Sequence, residues 1–213
     1  AAAGAGQAHA GRAGASPPES PWACGPAKML RRVDAWLIWI AVFALQSGGI
    51  LLTTHLGSIT ESRGGARVSA AAAVATFSCM QSLGRLFGGS LSDVAVARRV
   101  ARPWCFVCLL LAMGAAHALL CLPGPSPLLV GVALAGWAFG SMYPLMILTV
   151  AELFGTERIA SNYMVFDGSP SALSSILVAK YFADAVYQAH LPPGSSKCVG
   201  DQCFRLTHLS VAA

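Results

Sequence analysis

The stretch Gly84–Arg99, "GRLFGGSLSDVAVARR", begins inside an apolar run and ends in a pair of arginines. Gly84, Gly88 and Ser92 recur every four residues, so on a helix they form one small-residue stripe that lets a second helix approach closely. Asp93 then marks the charged end of that helix. The stretch therefore predicts a long helix packed in apolar surroundings, followed by a basic turn.

The composition of the whole chain indicates a membrane protein. Of the 213 residues, 55% are hydrophobic and only 11% are charged, whereas soluble domains carry about 25% charged residues. The formal net charge of +5 lies in clusters of Lys and Arg without interleaved aromatic residues, which argues against nucleic acid as a partner. The seven cysteines lie mostly in apolar segments, where a thiol behaves as a small hydrophobe.

Apolar runs long enough to cross a bilayer as helices divide the rest of the chain. Because a membrane core about 30 Å thick requires about 20 helical residues, we predict an all-α, polytopic transmembrane bundle. Five full spans and a truncated sixth are expected at about 33–54, 68–91, 103–122, 128–150, 159–185 and 204–213.

The first 32 residues have a different composition from the spans. They are rich in Ala, Gly and Pro and show no hydrophobic periodicity, so we predict a flexible cytoplasmic linker at 1–32 and a transmembrane domain at 33–213. The chain starts with Ala1, and its last apolar segment stops after barely ten residues. We therefore expect it to be a fragment of a longer polypeptide.

The distribution of Lys and Arg predicts the orientation of the spans. More cations lie on the side of residues 28–32, 98–102 and 158 than on the opposite side, so the first side is predicted to be cytoplasmic. Cys198 and Cys203 then lie in an exoplasmic loop and are candidates for a local disulfide.

Polar residues inside the predicted spans are the candidates for a solute or ion path. Gln46 lies in a polar and glycine-rich break of the first span, which indicates either a cavity-lining kink or a tight helix crossing. Tyr143 belongs to a similar region of the fourth span, in which Gly136 and Gly140 predict a second close helix contact. Asp167 either carries a coupling proton or meets a cationic solute, or it is simply solvated near the interface.

The charged end of the second span has two interpretations. Arg98, Arg99 and Arg102 lie within reach of Asp93 across a short turn, and Asp93 with Arg98 and Arg99 is expected to act as a conformational latch. Alternatively, Asp93 is a solvated carboxylate beside arginines that only set the topology. Arg85 lies about two turns before Asp93, so it either snorkels to the head groups or pairs with an acid of a neighbouring helix.

Three motifs resemble a known family of transporters. "GRLFGGSLSDVAVARR", "PLMILTVAELFG" and the C-x-G-x-x-CFRLTHL pattern resemble, in this order and spacing, the C-terminal half of the plant and algal nodulin-like branch of the major facilitator superfamily. The resemblance covers residue 34 to the end, although the acid is followed by "VAVA" before any arginine. It implies that Glu152 belongs to a loop motif closing the cytoplasmic side, and Glu152 is the acid that we expect Arg85 to meet.

The same resemblance implies an architecture and a function. The chain would be the second six-helix half of an alternating-access secondary transporter, with the N-terminal six-helix half of the same polypeptide, a small-molecule substrate and the lipid bilayer as partners. The chain lacks the H-E-x-x-H, G-x-S-x-G and P-loop motifs, so we expect no enzyme, no cofactor and no metal. The alternative function is that of a non-transporting membrane scaffold or an inactive fragment.

Overall fold

The computed structural model describes residues 24–63, 68–195 and 197–212, and every regular element in these ranges is a helix. The all-α prediction is therefore confirmed. The elements are α1 Pro26–Met29, α2 Val33–Ser62, α3 Ala70–Ala97, α4 Arg102–Leu120, α5 Pro125–Phe154, α6 Ile159–Leu173, a π-helical segment Ser174–Phe182, α7 Ala183–Ala189 and α8 Gln202–Ala212.

Each predicted span corresponds to a helix, and most of the helices are longer than the span. A 30-residue helix such as α2 or α5 is about 45 Å long, whereas the apolar core of a bilayer is about 30 Å thick. The helices extend into the segments that hydropathy assigned to loops. The fifth predicted span is a continuous helical rod, because α6, the π-helical segment and α7 follow one another without a break.

Three helices of the described residues, α2, α4 and α5, are long and apolar enough to cross a membrane. This is fewer than the five full spans that we predicted. Of the helices over the other two predicted spans, α3 is diluted by polar side chains, and α6 is only 15 residues long because the rod continues as the π-helical segment. Gln81, Arg85 and Asp93 lie in α3, and α6 contains Asn162 and Asp167.

Helices α2 and α5 form the centre of the bundle and contribute most of its buried apolar side chains. The most extensive contact between two described helices joins α3 to α5, followed by that of α4 with α5. The α6 rod packs along α2, and α8 packs against α4 and α7. Helices α2, α3, α4, α5, α6 and α8 all contribute side chains to a single apolar core, and Tyr187 of α7 packs against it.

The predicted linker 1–32 differs from the structure in its last part. Residues 1–23 lie outside the described residues. Beyond them, Pro26 occupies the first turn of α1, where a missing N–H costs nothing, and Met29 is fully buried. This segment is held against the bundle, since Cys24 N donates a hydrogen bond to the Phe154 carbonyl over 3.2 Å.

The structure joins Cys198 and Cys203 in a disulfide, with their Cα atoms 6.0 Å apart. The loop that contains it is fastened to the end of α2. Gly200 N donates a hydrogen bond to the Ser62 carbonyl over 2.7 Å, and Asp201 Oδ1 lies 3.5 Å from Arg63 Nε. Burial lowers the pKa of Arg63 below its ordinary value, and the Asp201 carboxylate offsets part of that effect.

Candidate functional site

Polar side chains from four helices meet within the apolar bundle. We call Gln46, Arg85, Tyr143, Tyr163 and Asp167 the polar cluster. Gln46 Nε2 of α2 donates a hydrogen bond to Asp167 Oδ1 of α6 over 3.2 Å. The Arg85 guanidinium of α3 lies 4.3 Å from the centre of the Tyr143 ring of α5, a cation–π contact. Both tyrosines lie within electrostatic reach of Asp167 and Arg85.

Burial differs across the polar cluster in a way that defines an inner and an outer side. Gln46 is fully buried, Asp167 and both tyrosines are partly buried, and Arg85 is exposed. The Oε1 atom of Gln46 finds no hydrogen-bond partner among the described residues. A buried amide oxygen without a partner is costly, and it offers an acceptor to a water molecule or a solute.

The polar cluster continues along the α2–α6 contact. Trp39 Nε1 donates to Ser169 Oγ over 2.8 Å, and Ser47 Oγ lies 3.0 Å from Ser174 Oγ. Ser174 is the first residue of the π-helical segment. Wide π-turns inside a helix are frequent at functional sites. The α2–α6 contact therefore carries polar groups over several turns.

The polar residues that were named from separate predicted spans lie together in space. Gln46, Tyr143 and Asp167 were predicted to line a path, and the structure brings all three into the polar cluster. Arg85 belongs to the same cluster, which we did not predict. Its expected partner Glu152 is engaged elsewhere, and its guanidinium lies on an aromatic ring instead. Tyr163 was missed because a single tyrosine near a helix start carries no distinctive pattern.

The charged end of α3 forms a second site, which we call the charge triad: Arg102, Asp93 and Glu152. Arg102 Nη2 lies 2.7 Å from Asp93 Oδ1, and its Nε lies 2.5 Å from Glu152 Oε1. Arg102 also donates to Ser92 Oγ. Because Arg102 is only 8% exposed, one guanidinium ties the ends of α3, α4 and α5 together.

The charge triad corrects the predicted pairing of Asp93. We expected Arg98 and Arg99 as its partners, but both are exposed, and neither takes part in an ion pair within the described ranges. The reason is geometric. Arg98 and Arg99 lie in the turn itself, where Arg99 adopts φ = 64°, whereas Arg102 begins α4 and faces the bundle. Whether the triad acts as a latch remains a prediction.

The four glycines named from the sequence lie where α3 meets α5. A Cβ on Gly84 would lie 2.5 Å from the Trp137 carbonyl oxygen, and one on Gly88 would lie 2.8 Å from Ser141 Cα. From the other helix, a Cβ on Gly136 would lie 2.6 Å from the Phe77 carbonyl oxygen. Gly140 faces the backbone of Gln81, and Ser92 lies next to the charge triad. The two stripes therefore pack against each other, backbone to backbone.

Comparison with known proteins identifies the family of the chain. The family model described as "NFD4, C-terminal domain" matches residues 23–212. The protein named NUCLEAR FUSION DEFECTIVE 4 of Arabidopsis thaliana is 24% identical over 185 residues, which are 83% of this chain and 31% of that protein. The chain thus spans less than a third of the length of this relative. No solved structure matches the chain.

These findings correct the family that we inferred from the sequence. The matching family is the NFD4 C-terminal domain, not the major facilitator superfamily or its nodulin-like branch. The resemblance was wrong because it was based on short patterns of glycine and charge at helix ends. Such patterns arise wherever apolar helices pack closely and end in charged turns. The six-helix half that the resemblance implied has no support beyond the all-helical fold.

Proposed function

We propose that this chain, which belongs to the NFD4 C-terminal domain family, is a multi-pass membrane domain whose polar cluster lines a path for a small solute. The observation that carries the proposal is the hydrogen bond from Gln46 to the Asp167 carboxylate inside an apolar bundle. Placing polar and ionisable groups inside the bilayer costs free energy, so such groups are found mainly where they face a cavity or a path. The proposal assigns no catalytic reaction to the chain.

The arrangement of donors and acceptors supports a polar solute. Asp167 and the Oε1 atom of Gln46 offer acceptors, whereas Arg85 and the two phenols of the polar cluster offer donors. A solute that bears both donors and acceptors can therefore be held without leaving these groups unpaired. We propose that the opposite wall of the path is supplied by the rest of a longer polypeptide, because the chain covers only 31% of its Arabidopsis relative.

The second candidate is a non-transporting membrane scaffold. The Arabidopsis relative is named for a defect in nuclear fusion, and neither that name nor the description of the family mentions a solute. The comparisons therefore favour this candidate, whereas the polar cluster favours a path. In a scaffold, the polar cluster would only fix the crossing of α2 with α6 and would stay dry.

Uptake measurements distinguish the two candidates. We suggest reconstituting the full-length polypeptide that contains this chain into vesicles with an imposed pH gradient. Labelled sugars, amino acids and chloride are then offered separately as probes. If Asp167 binds the solute or a coupling proton, Asp167→Asn lowers the initial rate by at least about ten-fold, the loss expected for one charge-assisted contact. Asp184→Asn is the matched control, since that carboxylate is 58% exposed in α7.

Each outcome of the uptake experiment favours one candidate. Uptake that is lost in Asp167→Asn but kept in Asp184→Asn supports a path through the polar cluster. Equal uptake in both variants removes Asp167 from transport. If the unmodified protein takes up none of the probes above the level of empty vesicles, the result supports the scaffold.

A further inference from the structure

A cavity of about 410 Å³ lies at the end of the bundle where α6 begins. Its walls are residues 24–28 on one side and Glu157 with Arg158 on the other. The polar cluster does not include any of these residues, and neither does the charge triad. The cavity thus has no part in the path proposed above.

Hydrogen bonds hold the two walls of the cavity in place. Cys24 N donates to the Phe154 carbonyl over 3.2 Å, and Asn162 Nδ2 donates to the Cys24 carbonyl over 2.9 Å. Asn162 is fully buried. The Arg158 guanidinium lies against Gly25, with Nη1 3.0 Å from the position that a Cβ on Gly25 would take. The cavity is therefore built by tertiary contacts, with the exposed Arg158 side chain at its rim.

The charges that line the cavity favour an anion. Lys28 and Arg158 supply two cations and Glu157 supplies one carboxylate. None of the three takes part in an ion pair within the ranges that the structure describes. Within these ranges no carboxylate pairs with Lys28 or Arg158, and a guanidinium fork matches the oxygens of a phosphate.

The location of the cavity indicates which phosphate-bearing molecule could reach it. It lies at the end of the bundle that carries the cations of residues 28–32, 98–102 and 158, the end expected to face the cytoplasmic leaflet. Basic pockets in this position bind the head groups of anionic lipids. A soluble phosphate ester offers the same chemistry, so an experiment has to separate the two sources.

We propose that the cavity between residues 24–28 and the Glu157–Arg158 turn binds the phosphate of an anionic lipid head group. The inference goes beyond the solute path, because it uses other residues and does not require transport. Lys28 and Arg158 attract the phosphate, and Glu157 opposes it. Removing the Glu157 carboxylate should therefore tighten phosphate binding, an effect that a nonspecific basic surface would not show.

The test compares three variants of the full chain in lipid nanodiscs. The nanodiscs contain phosphatidylcholine with or without phosphatidylinositol bisphosphate, and the bound anionic lipid is counted by native mass spectrometry. Arg158→Gln and Lys28→Gln are each expected to weaken binding about five-fold, the effect of one cation near a membrane surface. Glu157→Gln is expected to tighten it by a similar factor, a gain that misfolding cannot produce.

Lys197→Gln is the control for position, because it removes an exposed cation, paired with Glu61 over 3.2 Å, at the opposite end of the bundle. The proposal is overturned if this control weakens binding as much as Arg158→Gln does, or if Glu157→Gln fails to tighten it. A parallel titration with inositol hexakisphosphate in detergent separates the sources. Binding in nanodiscs alone identifies a lipid head group, binding in both identifies the phosphate itself, and binding in neither refutes the site.

Discussion

Replacing Gly140 by alanine is expected to destabilise the bundle by about 3 kcal/mol, near the upper end of the cost of overpacking a close contact. The added methyl group would meet the Gln81 backbone, with the Gln81 Cα only 2.9 Å away. Backbone atoms on both helices cannot rotate out of the way as a side chain can. Helices α3 and α5 would have to separate along the most extensive helix contact of the described residues.

Helix propensity and helix packing predict opposite changes in stability for Gly140→Ala. Alanine is the better helix former by about 1 kcal/mol, so propensity alone predicts stabilisation. Gly57→Ala in α2 is the matched control, since a Cβ there meets nothing within 4 Å. Thermal unfolding in detergent should show a lower Tm for Gly140→Ala and an unchanged or higher Tm for Gly57→Ala. An equal response of the two variants would refute the close α3–α5 contact.

Replacing Arg102 by glutamine is expected to destabilise the bundle by about 2 kcal/mol. Three hydrogen bonds from one guanidinium are lost, and the Asp93 and Glu152 carboxylates lose the cation between them. Hydrogen bonds to charged groups contribute about 1.5–3 kcal/mol each when buried. Both carboxylates are more than half exposed, so water compensates for much of that loss.

Arg98→Gln is the control for this prediction, because it removes an exposed cation from the same turn. We expect its effect to stay within about 0.5 kcal/mol, as is usual for surface substitutions. Glu152→Gln should also cost less stability when Arg102 is already glutamine than in the unmodified chain. Unfolding of the unmodified chain, Arg102→Gln, Glu152→Gln and the double variant in one detergent measures the coupling between Arg102 and Glu152. Additive effects would show that the charge triad does not act as a unit.

Helices α2, α4 and α5 were predictable from the sequence because each is a long apolar run bounded by charged or Gly/Pro-containing turns. The small residues Gly84, Gly88 and Gly140 were predictable as contacts for a related reason. Gly84 and Gly88 are four residues apart in α3, and Gly140 is four residues from Gly136 in α5, so each pair lies on one face of its helix. In lipid such faces are used for close packing. Local sequence patterns therefore predicted the main helices and the α3–α5 contact.

The partners of charged and polar groups were not predictable in the same way. Gln46 and Asp167 are 121 positions apart, and no local pattern links them. Arg102 is one of several arginines at the same end of the bundle, and only the start of α4 turns it towards Asp93 and Glu152. Pairing across helices depends on their rotation about their axes, which a hydropathy pattern does not specify.

Two further features were outside the reach of sequence patterns. His117 of α4 is fully buried, and its Nδ1 lies 3.0 Å from the Nδ1 of His208 in α8. The π-helical segment Ser174–Phe182 also has no signature in the sequence. The two histidines lie where α4 meets α8, and the π-helical segment packs against α2. Neither contact between remote parts of the chain is encoded in a local pattern.

The central claim is that the polar cluster lies within the membrane and faces water. It is tested most directly by thiol labelling in sealed vesicles, in a chain whose five free cysteines are replaced by serine or alanine. Ser169→Cys places a thiol beside the cluster, and Leu111→Cys places one midway along α4 at a site that is 69% exposed. We expect a water-soluble maleimide to label the thiol at position 169 and not the one at position 111. An unreactive thiol at 169, or equal labelling at both positions, would contradict a water-filled path through a membrane-embedded bundle.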